Sequence, residues 1–363
     1  MTSKVVSVPT LTEFYVYVTN GCNCACRHCW IVPADQSVAK QGKTRFIDPK
    51  LLDLAIREAL PLGLTALKWT GGEPTTHPGF DQLLRIQKEH GLAGRVETNG
   101  MAVTPGLAEL MRECGVDNVS VSLDGACAAT HDHNRNVAGG FERTLGGIRS
   151  LSGAGYRPEL ILSLLGGNLA EIGSFLALAA DLGAGAVKFN VVQPSLRGAE
   201  LHATGEVPSV HEILEIQGKV INEWQQRYDF PILIDVPMAF RPLQQLFGVN
   251  GLSRCGIFNI LGLLANGQYA LCGVGEHEAE LVFGLAGCGQ LETIWQAHPL
   301  LQRLRAELPD GLRGICGRCL MRGTCLGSCV ATNYQHGHDL LAGYWFCEQA
   351  EVEGLFPACR LKL

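Results

Sequence analysis

Cysteine is the residue type in this chain that is most able to do chemistry, and it occurs in two separate groups. The first group is a trio near the start of the chain, Cys22-x3-Cys26-x2-Cys29. The second group lies in the last third and contains Cys255, Cys272, Cys316, Cys319, Cys325, Cys329 and Cys347. Thiolates grouped in this way are typical ligands of iron–sulfur clusters, and three of them leave one iron of a four-iron cubane without a protein ligand. That open iron is where chemistry could start.

Composition narrows the class of protein and its partners. The chain has 363 residues, of which 47% are hydrophobic, enough for one large domain or two ordinary ones. A net charge of -6 argues against a nucleic acid partner. The sequence contains neither a signal peptide nor an uncharged apolar run of about 18 residues, which predicts a cytoplasmic protein with no membrane partner. Disulfides are rare in that compartment, so metal ligation best explains the 15 cysteines.

Short β-branched or aromatic runs alternate with amphipathic segments from residue 12 to about residue 240, as in repeated βα units. Six runs are predicted strands: Phe14–Thr19, Ala66–Thr70, Gly94–Thr98, Asn118–Leu123, Leu160–Leu164 and Ala186–Val192. Asp48 followed by Pro49 predicts the start of a helix. Six units are too few for a complete eight-fold barrel, so we predict an α/β fold with an open, partial (β/α)6 barrel. Its active site should lie at the carboxyl ends of the strands.

The βα pattern ends near residue 250, where glycine, cysteine and short loops become dominant. We therefore predict two domains, a barrel over residues 1–240 and a cysteine-rich extension over residues 241–363. The extension has too little apolar sequence to fold without a staple, and metal clusters are suitable staples.

Three motifs follow predicted strands. Gly71-Gly72-Glu73-Pro74 follows the second strand, where glycines admit a close ligand and a carboxylate can accept hydrogen bonds from an amino group. Thr98 ends the third strand, and Ser122 and Asp124 end the fourth, so their side chains could reach a ribose or a carboxylate. The alternative for each motif is a local turn or a capping interaction.

The first trio in its context TNGCNCACRHCW, with GGEP after the next strand, resembles the motifs of radical S-adenosylmethionine (SAM) enzymes. His28 stands at the position that is usually aromatic, and Cys24 is interpreted as a bystander. The resemblance implies a 4Fe–4S cluster on the trio, whose open iron binds SAM so that one electron splits SAM into methionine and a 5′-deoxyadenosyl radical. It also implies SAM contacts from His28, Gly71, Gly72, Glu73, Pro74, Thr98, Ser122, Asp124 and Arg135. A zinc loop is the alternative.

The later cysteines resemble the SPASM extension of one radical SAM sub-family. Their spacing is Cys255-x11-Gly267-x4-Cys272, then Cys316-x2-Cys319-x5-Cys325-x3-Cys329, then Cys347. The resemblance implies two auxiliary 4Fe–4S clusters, and so three clusters in all. An inner cluster would lie on Cys255, Cys272 and Cys329, and an outer cluster on Cys316, Cys319, Cys325 and Cys347. Cys288 is a candidate fourth ligand of the inner cluster, and a zinc ribbon is the alternative for the four central cysteines.

The resemblance also bears on the substrate. Many SPASM enzymes modify ribosomally made precursor peptides by crosslinking, epimerisation or backbone excision, whereas others oxidise a protein side chain, a small alcohol or a porphyrin precursor. We predict a precursor peptide, since the opening cysteine motif is also similar to that of maturases acting on Nif11-type leader peptides, including spliceases. A small-molecule dehydrogenase and a non-catalytic electron carrier stay open, although a carrier would have no use for the GGEP motif.

Partners follow from the same resemblance. Peptide-modifying relatives often carry an N-terminal winged-helix domain that grips the leader peptide, and here the first cluster cysteine is already Cys22. We therefore expect a separate leader-recognition protein and an external electron donor such as a flavodoxin or ferredoxin. No general base can be assigned from the sequence, although Asp235 and His277 are available.

Overall fold

One mixed sheet organises the chain. The computed structural model describes residues 8–31, 44–243, 255–273 and 278–362, and in these ranges the strand order is β10-β9-β8-β1-β2-β3-β4-β5-β6-β7. Strands β1 to β7 pair in parallel in chain order. Strand β8 pairs in parallel with β1, and the hairpin β8–β9–β10 is antiparallel. The sheet therefore stays open, with β7 and β10 at its two edges.

The element bounds are as follows. The strands are β1 (Glu13–Tyr17), β2 (Ala66–Thr70), β3 (Ala93–Thr98), β4 (Val116–Ser122), β5 (Glu159–Leu164), β6 (Ala186–Val191), β7 (Ile232–Ile234), β8 (Ile260–Leu263), β9 (Gln268–Ala270) and β10 (Val282–Leu285). The helices are α1 (Pro49–Ala59), α2 (Phe80–Glu89), α3 (Pro105–Glu113), α4 (Ala128–Arg135), α5 (Gly140–Gly153), α6 (Ile172–Asp181), α7 (Arg197–Ala203), α8 (Val210–Lys219), α9 (Gln225–Arg227), α10 (Leu291–Ala297), α11 (Pro299–Glu307), α12 (Gly314–Arg318), α13 (Arg322–Cys325), α14 (Val330–Gly337) and α15 (Trp345–Val352).

The predicted fold class is confirmed. All six predicted strands are present, as is the predicted helix start, where the Asp48 side chain accepts a hydrogen bond from the Lys50 amide at 2.7 Å. The sequence analysis missed β7, because a strand of three residues directly after Pro231 is too short to show an alternating pattern.

Alternation along the strands separates two faces of the sheet. Leu67 and Trp69 of β2, and Val187 and Phe189 of β6, belong to the main apolar core beneath the helices. Trp69 packs edge-on against Phe80 of α2, for example. Because successive side chains of a strand point to opposite faces, the residues between them point into the concave side of the barrel.

The cysteine-rich part is continuous with the barrel sheet. Its strand β8 pairs with β1, where Glu13 lies beside Ile260. At the other edge, the side-chain oxygen of Gln193 accepts hydrogen bonds from the Tyr344 hydroxyl and the Trp345 indole, both at 2.9 Å. The predicted boundary between a barrel domain and a cysteine-rich domain at residue 240 stays a prediction. Strands from both sides of that boundary belong to one sheet. In the ranges that the structure describes, no helix has the length and apolar character needed to cross a membrane.

Candidate functional site

The first cysteine loop, residues 22–29, follows β1 and lies on the carboxyl edge of the parallel strands. Backbone hydrogen bonds dock it on the end of α4, from the Ala25 amide to the Arg135 carbonyl (3.2 Å) and from the Arg27 amide to the Asn134 carbonyl (3.0 Å). The loop is therefore held by the backbone of a neighbouring element, which fixes the height of its thiols above the strands.

The two glycines of the GGEP motif pack against the backbone that leads into this loop. The amide of Gly72 donates to the Thr19 carbonyl at 2.8 Å, and the amide of Glu73 donates to the Gly21 carbonyl at 3.0 Å. Gly71 has a φ of +122°, which side chains rarely adopt. A Cβ on Gly72 would lie 1.8 Å from the Gly21 carbonyl oxygen. Glycine is thus required here by backbone packing, whatever ligand the motif also contacts.

Replacing Gly72 by Ala should push the cysteine loop off the sheet, because the clash is with backbone that cannot rotate away. We expect the purified variant to lose iron from the first cluster, and with it SAM cleavage, measured as iron per chain after anaerobic reconstitution. The matched control is Gly106→Ala on α3, where an added Cβ meets nothing within 4 Å and alanine favours the helix. Equal iron contents in the two variants would contradict this interpretation of the motif.

Glu73 is fully enclosed, and protein groups already occupy its carboxylate. One oxygen accepts from the Thr98 hydroxyl (2.6 Å) and from both the hydroxyl and the amide of Thr75 (2.6 and 3.1 Å). The other oxygen accepts from the Asn99 amide at 2.7 Å. Burial raises the pKa of this carboxyl. Glu73 and Thr98 therefore lock the end of β2 to the end of β3, a role that the sequence did not predict, and their contact with SAM stays a prediction.

Asn99 joins the third strand to the cysteine loop. Its side-chain amide donates to the Asn23 side chain at 2.7 Å and to the Cys24 sulfur at 3.5 Å, and its oxygen accepts from the Met101 amide at 3.0 Å. The sequence analysis named Thr98 at this strand end and gave Asn99 no role of its own. Its position directly after a strand end was the signal that could have found it.

A buried ion-pair network lies behind the loop. Asp124 has no exposed surface, and one of its oxygens lies 2.6 Å from Nε of Arg135 and 3.4 Å from Nε2 of His28. Its other oxygen accepts from the Ser163 amide at 2.8 Å. Arg135 also donates to the Cys26 sulfur at 3.5 Å. Burial alone would raise the pKa of Asp124, but Arg135 and His28 outweigh it and hold the pKa below its usual value.

The remaining predicted SAM residues surround this network. His28 contacts the Ser163 hydroxyl at 3.1 Å, and its Nδ1 atom is buried without a hydrogen-bond partner in the described part of the chain. Pro74 opens a short helical turn after β2, and Ser122 is the half-buried last residue of β4. The structure thus brings all the predicted SAM residues to one edge of the sheet, although Asp124 and Arg135 are committed to each other and to the loop.

Cys24 is more than a bystander in the geometry. Its thiol is hydrogen-bonded with Cys22 and Cys26, and these bonds raise the pKa of Cys24. The bond from Cys24 lowers the pKa of Cys26 although burial opposes ionisation, and Arg135 acts in the same direction as Cys24. Hydrogen bonds thus link the Cys24 thiol to two of the three expected cluster ligands, Cys22 and Cys26.

The four cysteines of the expected outer set come together in space. Cys316, Cys319, Cys325 and Cys347 all line one pocket. The Cys316 sulfur accepts a hydrogen bond from the Tyr344 amide at 3.3 Å, and the Cys319 sulfur accepts one from the Met321 amide at 3.3 Å. Converging thiols with backbone donors on their sulfurs are suitable for an iron–sulfur cluster.

The three cysteines of the expected inner set are also neighbours. Cys272 and Cys329 pack in one cluster with Tyr15 of β1, and Cys255 interacts electrostatically with Cys329. Cys288 lies elsewhere, since the adjacent Gly289 amide donates to Glu58 of α1, on the helix-covered face of the sheet. Tyr15 points to the opposite face, so the structure argues against Cys288 as the fourth ligand. His277, which the sequence analysis named as an available general base, lies outside the described residues.

The fit to metal clusters rests on these sulfur positions. Within the described ranges, no three His, Cys, Asp or Glu side chains converge closely enough to hold a single metal ion. A cubane makes a different demand, because each thiolate binds its own iron at a separate corner. The thiols around the shared pocket fit a cubane cluster. Beside the first loop, the buried Nδ1 of His28 has no hydrogen-bond partner in the described residues, so it can still contact a bound cofactor.

Comparison with known proteins gives the class. The model of the radical SAM superfamily matches residues 16–179. The AdoMet-dependent heme synthase of Methanosarcina barkeri is 30% identical, covering 91% of this chain and 94% of that protein. The mycofactocin maturase MftC of Mycobacterium tuberculosis is 26% identical over 89% and 79% of the two chains. Streptococcus suis SuiB bound to precursor peptide SuiA superposes with a TM-score of 0.73 at 14% identity, covering 94% of this chain and 77% of SuiB.

The chain therefore belongs to the radical SAM superfamily. The fold, the cysteine loop after β1 and the GGEP motif after β2 agree with that assignment. SAM and a 4Fe–4S cluster are the cofactors that this fold holds.

Proposed function

We propose that this protein modifies a ribosomally made precursor peptide by radical SAM chemistry. The observation that carries the proposal is the cysteine loop held at the carboxyl edge of an open barrel whose sheet continues into the part of the chain with two further cysteine sets. The relatives named maturase and the precursor-bound neighbour support a peptide as substrate. When bound, the cluster and SAM would supply a 5′-deoxyadenosyl radical that removes one hydrogen atom from the peptide.

The side chains of this protein position those groups. Cys22, Cys26 and Cys29 would hold the first cluster, with the Cys24 thiol beside Cys22 and Cys26. Gly71 and Gly72 bring β2 against the loop. The residues that would line the SAM site with these glycines are Glu73, Pro74, Thr98, Ser122, His28, Asp124 and Arg135.

We further propose three 4Fe–4S clusters. The supporting geometry is the pocket shared by Cys316, Cys319, Cys325 and Cys347, and the packing of Cys255, Cys272 and Cys329 near Tyr15. Clusters near the substrate would accept an electron from the modified peptide or bind one of its atoms. An external flavodoxin or ferredoxin, a separate leader-recognition protein and a cytoplasmic location complete the proposal.

A second candidate is a heme-forming reaction on a tetrapyrrole. It is favoured by the relative from Methanosarcina barkeri, which is named AdoMet-dependent heme synthase and covers nearly the whole chain. Both candidates use the same radical, so the substrate alone separates them.

The substrate proposal can be tested with the anaerobically reconstituted enzyme. It is mixed with SAM, a reductant and a candidate precursor peptide, with and without a candidate recognition protein, and peptide mass is followed. We expect a mass change that depends on SAM and on the recognition protein. Full modification without that protein would refute the partner, whereas turnover of a tetrapyrrole and of no peptide would overturn the peptide proposal.

A further inference from the structure

The concave face of the barrel carries charge that the cysteine sites do not use. Lys68 of β2 lies 2.6 Å from Glu97 of β3 and 4.7 Å from the centre of the Tyr15 ring. Lys188 of β6 acts on the same Glu97 electrostatically. Glu97 is thus already paired with Lys68, and Lys188 is the further cation that lies near this carboxylate.

Lys188 and Asn190 are polar residues of this face whose side chains can still bind a ligand. Both alternate with Val187, Phe189 and Val191, which are buried against the helices, so they point to the concave side. Lys188 has no ion-pair partner, and the Asn190 side-chain oxygen is buried without a hydrogen-bond partner, in the part of the chain that the structure describes. Buried polar groups are normally paired, so the Asn190 side chain can still hydrogen-bond a bound molecule, and the Lys188 ammonium can still pair with an anion.

The position of these two residues relates them to the first cysteine loop. Asn190 is the register partner of Ser163, whose hydroxyl contacts His28 within that loop. Neighbouring strands are about 4.8 Å apart, and Lys188 lies about 6.6 Å deeper along the same strand. A ligand held at Lys188 would therefore extend past Asn190 toward the loop.

We propose that Lys188 and Asn190 form a subsite that anchors a carboxylate of the substrate. The inference rests on the proposed function, and deepens it by naming the group that is recognised: a peptide carboxylate, terminal or on a side chain. The ammonium of Lys188 pairs with the carboxylate, and the Asn190 amide hydrogen-bonds the adjoining peptide group. Lys68 stays neutralised by Glu97, so Lys188 is the cation that the ligand meets.

The test uses two small probes and the cluster-loaded enzyme at equal iron content. N-acetyl-dialanine with a free carboxylate is compared with its amide, and binding is measured by saturation-transfer NMR. A charge-assisted hydrogen bond predicts at least about 10-fold tighter binding of the acid. Lys188→Met should abolish this preference, whereas Lys219→Met on the outer helix α8 should retain it. Glu97→Gln should strengthen acid binding, because it frees Lys68.

Several outcomes would decide the matter. Equal binding of acid and amide, or an acid preference that survives in Lys188→Met, would overturn the subsite while leaving peptide modification measurable in the precursor assay. Lys188-dependent binding of coproporphyrin III but not of the peptide acid would support the carboxylate subsite and overturn the peptide substrate. Loss of the acid preference in Lys188→Met with amide binding unchanged, together with weaker binding of both probes in Asn190→Leu, would support the proposal as stated.

Discussion

Replacing Cys22, Cys26 and Cys29 together by Ala is expected to remove about a third of the iron and all SAM cleavage. The reason is that the three proposed cubane clusters would hold about twelve irons, of which about four would lie on this trio, the cluster proposed to bind SAM. Iron per chain and 5′-deoxyadenosine release, measured after anaerobic reconstitution, report the two losses separately.

A matched control replaces the same number of cysteines that have no expected role. Cys127, Cys288 and Cys359 are all exposed in the structure, and their joint replacement by Ala should leave both iron and SAM cleavage unchanged. This control also examines Cys288 as a ligand. An iron content near zero in the first variant would show that the other cysteines hold no clusters of their own.

Removal of the Asp124 charge should have the second largest effect. Arg135 is 8% exposed and Asp124 is 0% exposed, so Asp124→Asn leaves a buried guanidinium without its counter-charge. Breaking one partner of a buried pair costs about 3–5 kcal/mol. We expect a clear fall in the thermal unfolding midpoint of the reconstituted protein, together with loss of first-cluster iron.

Two further variants isolate the cause. Asp310 forms a surface ion pair with Arg322, and 80% of its side chain is exposed. Asp310→Asn should therefore change the free energy of unfolding by less than about 1 kcal/mol. The double variant Asp124→Asn with Arg135→Met should recover part of the stability, because no unpaired charge remains. An Asp124→Asn protein as stable as the Asp310→Asn protein would contradict the supporting role of the network.

The βα rhythm was readable from the sequence because each strand run is short, apolar and followed by a polar strand end. The six runs and the Asp48 cap reflect local preferences that the packed fold keeps. Strand β7 escaped notice because Ile232–Ile234 is too short for any periodicity. The pairing of β8 with β1 escaped notice as well, since sequence says little about which distant strands meet.

At the site, residue types were easier to predict than their partners. The motif spacing indicated the cysteines and the GGEP segment, yet not that Glu73 would be satisfied by Thr75, Thr98 and Asn99. The lysines of the concave face were missed for a physical reason. In runs such as ALKWT and AVKFNV a single charge looks like a solvent-facing residue, and only the curvature of the sheet turns it inward.

The central claim is that a radical formed at the first cysteine loop takes hydrogen from a peptide. The most direct measurement uses the precursor peptide with deuterium at its carbon-bound positions, incubated with the reconstituted enzyme, SAM, reductant and recognition protein. The account predicts that deuterium appears in 5′-deoxyadenosine, in step with the loss of mass from the peptide. Formation of 5′-deoxyadenosine without any deuterium, while the peptide stays intact, would contradict it.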